Sequence, residues 1–117
     1  MKYNFEITSD KIRGIPVINI QGDLTFDADG ALKKEFSDIL DNNPSGNIIM
    51  NFEMTKYINS SGIATLISII QDSNEKNIKI SFVGMSTHFQ KVMDIVGIID
   101  FIEIYNTNEE ALAVFNE

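Results

Sequence analysis

Ser60 and Ser61, with Asn59 before them and Gly62 after, are the residues of this chain best placed to do chemistry. They stand at a joint. The stretch Tyr57-Ile58-Asn59-Ser60-Ser61-Gly62-Ile63-Ala64-Thr65-Leu66 lies between an apolar run that reads as a strand and another that reads as a helix. A helix starting there aims free backbone N–H groups at whatever the serines carry. Asn59 is an acceptable cap, which puts Ser60 in the first helical turn. A phosphate on Ser60 would be stabilised by the helix dipole and would bring roughly two negative charges to its surroundings. Ser60 is therefore a candidate regulatory phosphorylation site. The competing reading makes both serines plain capping hydroxyls, which favour helix starts in any case. Gly62 has two uses open to it: close packing of the helix start on a strand, or room for a partner's backbone to approach Ser60.

Other chemistry finds little support. Thr25-x-Asp27-x-Asp29-Gly30 resembles the start of a calcium loop, but the bidentate glutamate such a loop needs at its twelfth position is here Phe36. His88 is the one histidine, and nothing pairs it with a serine and an aspartate or with a second metal ligand. It reads as a surface residue near a helix start. There is no cysteine, hence no disulfide framework and no thiolate site. Glycine-rich phosphate loops of the nucleotide-binding types are absent. The case for an enzyme is weak, and no cofactor or metal is expected.

The elements that position the joint follow from periodicity. Tyr3 to Thr8 alternates as a half-buried edge strand, with Tyr3, Phe5 and Ile7 on one face. Ser9-Asp10-Lys11 begins a turn that Arg13-Gly14 continues, and Ile15 to Gln21 returns as a second strand with Pro16 near its start. Gly22 to Gly30 reads as a loop into a helix capped by Asp27 or Asp29, whose inner stripe is Leu32, Phe36, Ile39 and Leu40. Asp41-Asn42-Asn43-Pro44-Ser45-Gly46 stops it. Asn47 to Phe52 is a buried central strand. The helix after the joint is apolar nearly all round (Ile63, Leu66, Ile67, Ile69, Ile70), so it is packed on more than one side.

Ile78 to Val83 is the next strand. A helix follows with Ser86 as cap, Phe89, Val92, Met93 and Val96 as inner stripe, and Gly97 as the left-handed end residue. Phe101 to Tyr105 is a last strand, and Thr107 to Phe115 a last helix with Thr107 and Glu110 spaced as a capping box. The order ββαβαβαβα implies one α/β domain over residues 1–117, with a mixed five-stranded sheet and about four helices.

Bulk properties agree with that size. The 117 residues are 44% hydrophobic, enough for one core. The first residues lack a signal peptide's apolar stretch, and no apolar run approaches the roughly 20 residues that span a bilayer. A cytoplasmic location is the expectation. A formal charge of −8 repels phosphate backbones and anionic lipid, so neither nucleic acid nor membrane is expected as a partner. A basic protein surface is the more natural one. The charge also serves solubility, whatever else it does.

The stretch Tyr57 to Leu66 resembles the signature of the STAS domains, named for sulphate transporters and anti-sigma factor antagonists. That signature runs hydrophobic pair, Asp, Ser, a small residue, Gly, then a hydrophobic helix. Gly22-Asp23-Leu24 is similar to the family's Gly-acidic-hydrophobic turn, and Ser86 through Phe101, with Phe89, Gly97 and Ile98, is similar in spacing to its third helix and following strand. In stand-alone members the serine after the Asp is phosphorylated, which is Ser60 here. The resemblance implies a switch. An anti-sigma factor with serine kinase activity, itself holding the ATP, phosphorylates Ser60; the unphosphorylated chain binds that factor and frees the sigma factor; a serine phosphatase resets it. It also implies a partner surface of Asp23, Thr25, Asn59, Ser60, Ser61 and Gly62.

Two positions depart from the pattern. Asn59 replaces the usual Asp, which removes a charge beside the acceptor and keeps the cap. Thr25 stands where several antagonists have an acidic residue. The expectation is thus a stand-alone anti-sigma factor antagonist. Its rivals are an unphosphorylated scaffold subunit of a signalling assembly, and a small-ligand or nucleotide-binding domain.

Overall fold

The computed structural model describes residues 4–42 and 46–115. Tyr3 and the Asn43-Pro44-Ser45 part of the helix stop lie outside the described residues. Eleven elements follow in order: β1 (Phe5–Ile12), β2 (Ile15–Leu24), α1 (Phe26–Asp41), β3 (Asn47–Asn51), β4 (Thr55–Ile58), α2 (Ser60–Glu75), β5 (Lys79–Val83), α3 (Thr87–Val96), a 3₁₀ turn (Ile99–Phe101), β6 (Glu103–Tyr105) and α4 (Asn108–Phe115).

The sheet is mixed, with strand order β1-β2-β3-β5-β6, and only the β1–β2 pair is antiparallel. β4 was not foreseen as a strand. It lies parallel to β2 over Gly22–Leu24, beyond Val17–Asn19 where β3 pairs with the same strand. β3 and β4 thus share one flank of β2, and the sheet keeps the five lanes expected while containing six strands.

Alternation along the central strands sorts side chains to two faces. Ile18 and Ile20 of β2, Ile48 and Met50 of β3, and Ile80 and Phe82 of β5 join Leu32 and Phe36 of α1, Leu66, Ile69 and Ile70 of α2, and Phe89 and Met93 of α3 in the main core. Val17, Ile49 and Val83 point the other way and are covered by Ala111 and Leu112 of α4. Three helices therefore cover one face and α4 the other. Phe52 sits over Phe82 and meets Phe89 edge-on, with ring centroids 4.8 and 5.1 Å apart. On the α4 side, Asn51 Nδ2 donates to Asn108 Oδ1 (3.0 Å), while Asn51 Oδ1 accepts from the Glu53 N–H (2.8 Å). One amide thus ends β3 and ties α4 to it.

Several boundaries differ from the expectation. Ser9-Asp10-Lys11 is strand, because β1 continues in register with β2 to Ile12↔Ile15. Its exposed side chains are held by Asn19 donating to Asp10 (3.1 Å) and Ser9 donating to Glu35. The turn is Arg13-Gly14 alone, both at positive φ (53° and 82°), as a two-residue hairpin of the primed type requires. Gly22 to Leu24 is also strand and not loop. Gly22 takes φ 87° at a register shift, and its N–H reaches Met54 O at 2.9 Å.

Neither Asp27 nor Asp29 caps α1. The chain stays in β2 to Leu24, so Thr25 occupies the cap position, and both acids fall inside the first turn, where they complement the dipole. Val96 is exposed and not part of the α3 stripe. The last strand is shortened to Glu103–Tyr105 because Ile99–Phe101 coils into the 3₁₀ turn.

Other expectations hold. Ser86 Oγ accepts from the Phe89 N–H (3.0 Å), and Gly97 ends α3 at φ 90° with Ile98 N–H returning to Met93 O (3.2 Å). Thr107 Oγ1 accepts from the Glu110 N–H, and the Glu110 carboxylate accepts from the N–H of Asn106 (3.2 Å each), one residue before the position a strict capping box uses. Phe82 has no exposed surface and packs in the main core against Phe52. Phe82→Ala is expected to lower the unfolding free energy by about 3–5 kcal/mol, readable as a shifted urea midpoint at unchanged slope.

Candidate functional site at the start of the second helix

The site is built by two strands that stop together. β2 and β4 run parallel with Asp23 opposite Tyr57 and Leu24 opposite Ile58. Each then passes through one extended residue, Thr25 or Asn59, into a helix. The first turns of α1 and α2 therefore emerge side by side at one end of the sheet. The Asn59 N–H donates back to Leu24 O (3.3 Å), which stitches the two exits together.

The caps are not equivalent. The Asn59 side chain accepts from the Gly62 N–H at 3.0 Å, as the cap of α2. Thr25 makes no side-chain cap bond. Ser60 takes the first position of α2 and is exposed; Ser61 is half-buried, with its carbonyl oxygen 3.1 Å from Thr65 Oγ1. Because Asn59 does the capping, the Ser60 hydroxyl has no such duty, and none of the described residues engages it. It is free for another group to reach.

Gly62 resolves the choice left open by the sequence. A Cβ built on it would stand 2.1 Å from Leu24 O and 2.9 Å from Ile58 Cγ1. The glycine is buried and lets the helix start lie on the end of β2. Its missing Cβ is thus used by the packing of α2 on β2. Asp23, Thr25 and Asn59 are half-buried at the same end, with the Asp23 N–H donating to Asn4 O (2.8 Å).

A further clasp was not foreseen. Thr65, buried one turn beyond Ser61, donates its hydroxyl to Asp29, and Asp29 also pairs with Lys33 at 3.4 Å. The clasp fixes α1 against α2 just behind the site. Its only sequence signal is a threonine in an otherwise apolar helix run.

The surroundings are acidic at the helix starts, with Asp23, Asp27 and Asp29 against Lys33 and the exposed Lys56 of β4. Beside β4 a groove lined by Thr55, Tyr57, Ser86, His88 and Val92 holds 170 Å³, small against the roughly 300–1,000 Å³ of typical ligand sites. Among the described residues no group of three or more His, Asp or Glu side chains could hold a metal. No described helix is long and apolar enough to cross a membrane. The arrangement leaves an exposed hydroxyl on the first turn of α2, beside the first turn of α1.

Gly62→Ala and Asn59→Ala test this geometry. In an unconstrained helix a Gly-to-Ala change stabilises by about 1 kcal/mol, but the contact with Leu24 O reverses the sign. Gly62→Ala is expected to destabilise by about 1–3 kcal/mol, and Asn59→Ala by about 1 kcal/mol from the lost cap. Asn59→Asp should leave thermal stability equal or higher, since a carboxylate keeps the cap and adds favourable charge at the helix start.

Comparison with known proteins agrees with this architecture. The anti-sigma factor antagonist of Mycobacterium paratuberculosis superposes with a TM-score of 0.81 at 15% identity, covering 97% of this chain and 95% of that one. The Bacillus cell fate determinant SpoIIAA, in its phosphorylated form, gives 0.71 at 22% identity, covering 94% and 97%. The murine anion transporter Slc26a9 gives 0.74 at 12% identity, covering 92% of this chain and 18% of that one. At such identities the likeness is one of fold. No curated protein matches the chain in sequence. The STAS domain model matches residues 6–111, nearly the whole chain, and the protein belongs to the STAS domain family.

Proposed function

We propose that this STAS domain acts as a non-enzymatic anti-sigma factor antagonist whose binding is switched at Ser60. Unphosphorylated, it binds an anti-sigma factor that has serine kinase activity and so frees the sigma factor. Phosphorylated on Ser60 by that partner, it is released, and a serine phosphatase returns it to the binding form. ATP belongs to the kinase, and this chain needs no cofactor. The observation that carries the reading is the division of labour at α2: Asn59 caps the helix, and Ser60 is exposed with its hydroxyl unengaged by the described residues.

The physical logic runs from that hydroxyl outward. A phosphoserine carries about −1.5 to −2 charges. At the first position of α2 the free N–H groups and the dipole tolerate it within the chain. Across an interface the same charge must be desolvated and paired, or it repels. Asp23 and Asp27 already make this end of the molecule negative, so the added phosphate does not neutralise local charge. The domain therefore stays folded while its affinity changes. Several neighbours in fold carry the name anti-sigma factor antagonist, among them SpoIIAA, which is solved in both unphosphorylated and phosphorylated forms, and this supports the reading.

Two experiments with a purified anti-sigma factor kinase test it. In the presence of ATP, wild type should incorporate phosphate stoichiometrically and Ser60→Ala should incorporate none. On gel filtration, wild type and Ser60→Ala should co-elute with the partner, while Ser60→Asp should elute free with an unchanged circular dichroism spectrum. Co-elution of Ser60→Asp would favour the scaffold reading, in which Ser60 has no switching role.

A further inference from the structure

Phe26 is the first residue of α1 and is 75% exposed. Nothing in helix formation asks for an aromatic there; first positions favour proline and acidic residues. Nor does the core use it, since α1 buries Ala28, Leu32 and Phe36 instead. Its address is set by the paired strand ends. Leu24 and Ile58 are in register, so Thr25 corresponds to Asn59 and Phe26 to Ser60. Tyr57, 56% exposed, stands opposite Asp23 at the same end of the sheet. Two exposed aromatic residues thus lie at the end of the sheet that carries Ser60, on the same strand ends and helix start as Asp23 and Asp27.

We infer that Phe26 and Tyr57 are the apolar anchors of the partner interface, and that their occupant is an apolar recess rimmed by lysine or arginine on the anti-sigma factor kinase. The inference rests on the function proposed above and adds the chemistry of the surface that meets this one. Charge complementarity selects the partner: the aromatics sit among carboxylates on a chain of formal charge −8, so a second copy of the chain would meet its own sign. Aromatic side chains seated in desolvated pockets are frequent centres of binding energy in protein interfaces. The position also explains how one phosphate can act. Seating Phe26 requires the neighbouring surface to be dehydrated, and a dianion on the adjacent helix start keeps it wet.

The test titrates recombinant anti-sigma factors bearing a serine kinase domain, taken from the genome that encodes this chain, with purified variants by calorimetry. The variants are Phe26→Ala, Phe26→Leu, Tyr57→Ala, Ser60→Asp and Ile95→Ala. Ile95 is the control: it is 78% exposed but belongs to the last turn of α3, far along the helix from Ser86. For the factor that wild type binds, Phe26→Ala should weaken affinity tenfold or more and Tyr57→Ala severalfold. Phe26→Leu should stay within about threefold of wild type and Ile95→Ala within twofold, with melting temperatures unchanged throughout. Wild-type affinity should fall as salt rises from 50 to 300 mM. If Ser60→Asp abolishes binding while Phe26→Ala and Tyr57→Ala remain within twofold of wild type, the anchor assignment is wrong and the switch stands. Equal damage from Ile95→Ala would also overturn it. If no such factor binds wild type, the proposed function fails and the anchors fail with it.

Discussion

The carbonyl oxygen of Leu24 occupies the space that a Cβ on residue 62 would need. This contact lets the start of α2 lie directly on the end of β2, and much of the site depends on it. Because the helix sits so close, the Asn59 N–H can reach the same carbonyl, and the Asn59 side chain can turn inward to cap Gly62. Because Asn59 caps, Ser60 faces outward. The bond from Thr65 to Asp29 then holds the neighbouring helix in place. Replacing the glycine with any L-residue would act first on packing and only through packing on the hydroxyl.

This arrangement separates what folds the chain from what it shows to others. The main core is made by alternate residues of β2, β3 and β5 with three helices, and the reverse face is sealed by α4 through Ala111, Leu112 and the Asn51–Asn108 amide pair. The end of the sheet carrying Ser60 contributes Leu24, Ile58 and Gly62 inward and presents Phe26, Tyr57 and Ser60 outward. A charge added there costs the core little, since no buried apolar contact depends on the Ser60 side chain. Asn59 in place of the family's usual aspartate fits the same division. It keeps the acceptor that the Gly62 N–H requires and leaves out a fixed negative charge beside the hydroxyl.

Much of the fold was legible in the sequence because its signals are local and redundant. Ser86 and Gly97 bracket α3 by capping chemistry, and the short, mainly apolar runs of β3 (Ile48, Ile49, Met50) and β5 (Ile80, Phe82, Val83) read as buried strands. β4 was missed because it is four residues long and two of them, Lys56 and Tyr57, are exposed; only its pairing with β2 makes it a strand. Asp27 and Asp29 looked like caps because the extension of β2 through a glycine bulge is a tertiary effect, as is the continuation of β1 through Ser9-Asp10-Lys11. The joint at Ser60 was visible as chemistry, but the two uses open to Gly62 could not be separated, since its neighbour Leu24 lies 38 residues away in sequence. Phe26 carried no signal at all until its exposure was known.

The central claim is that the Ser60 hydroxyl is a regulated acceptor and not an idle helix-start residue. Site-resolved phosphopeptide mass spectrometry on the chain isolated from its native cells, sampled across growth conditions, reads this without any assumption about the partner. The account predicts a phosphate on Ser60 whose occupancy changes with condition, with Ser61 and Thr65 unmodified. Complete coverage of that peptide with Ser60 bare in every condition would contradict it and leave the chain an unswitched interaction domain.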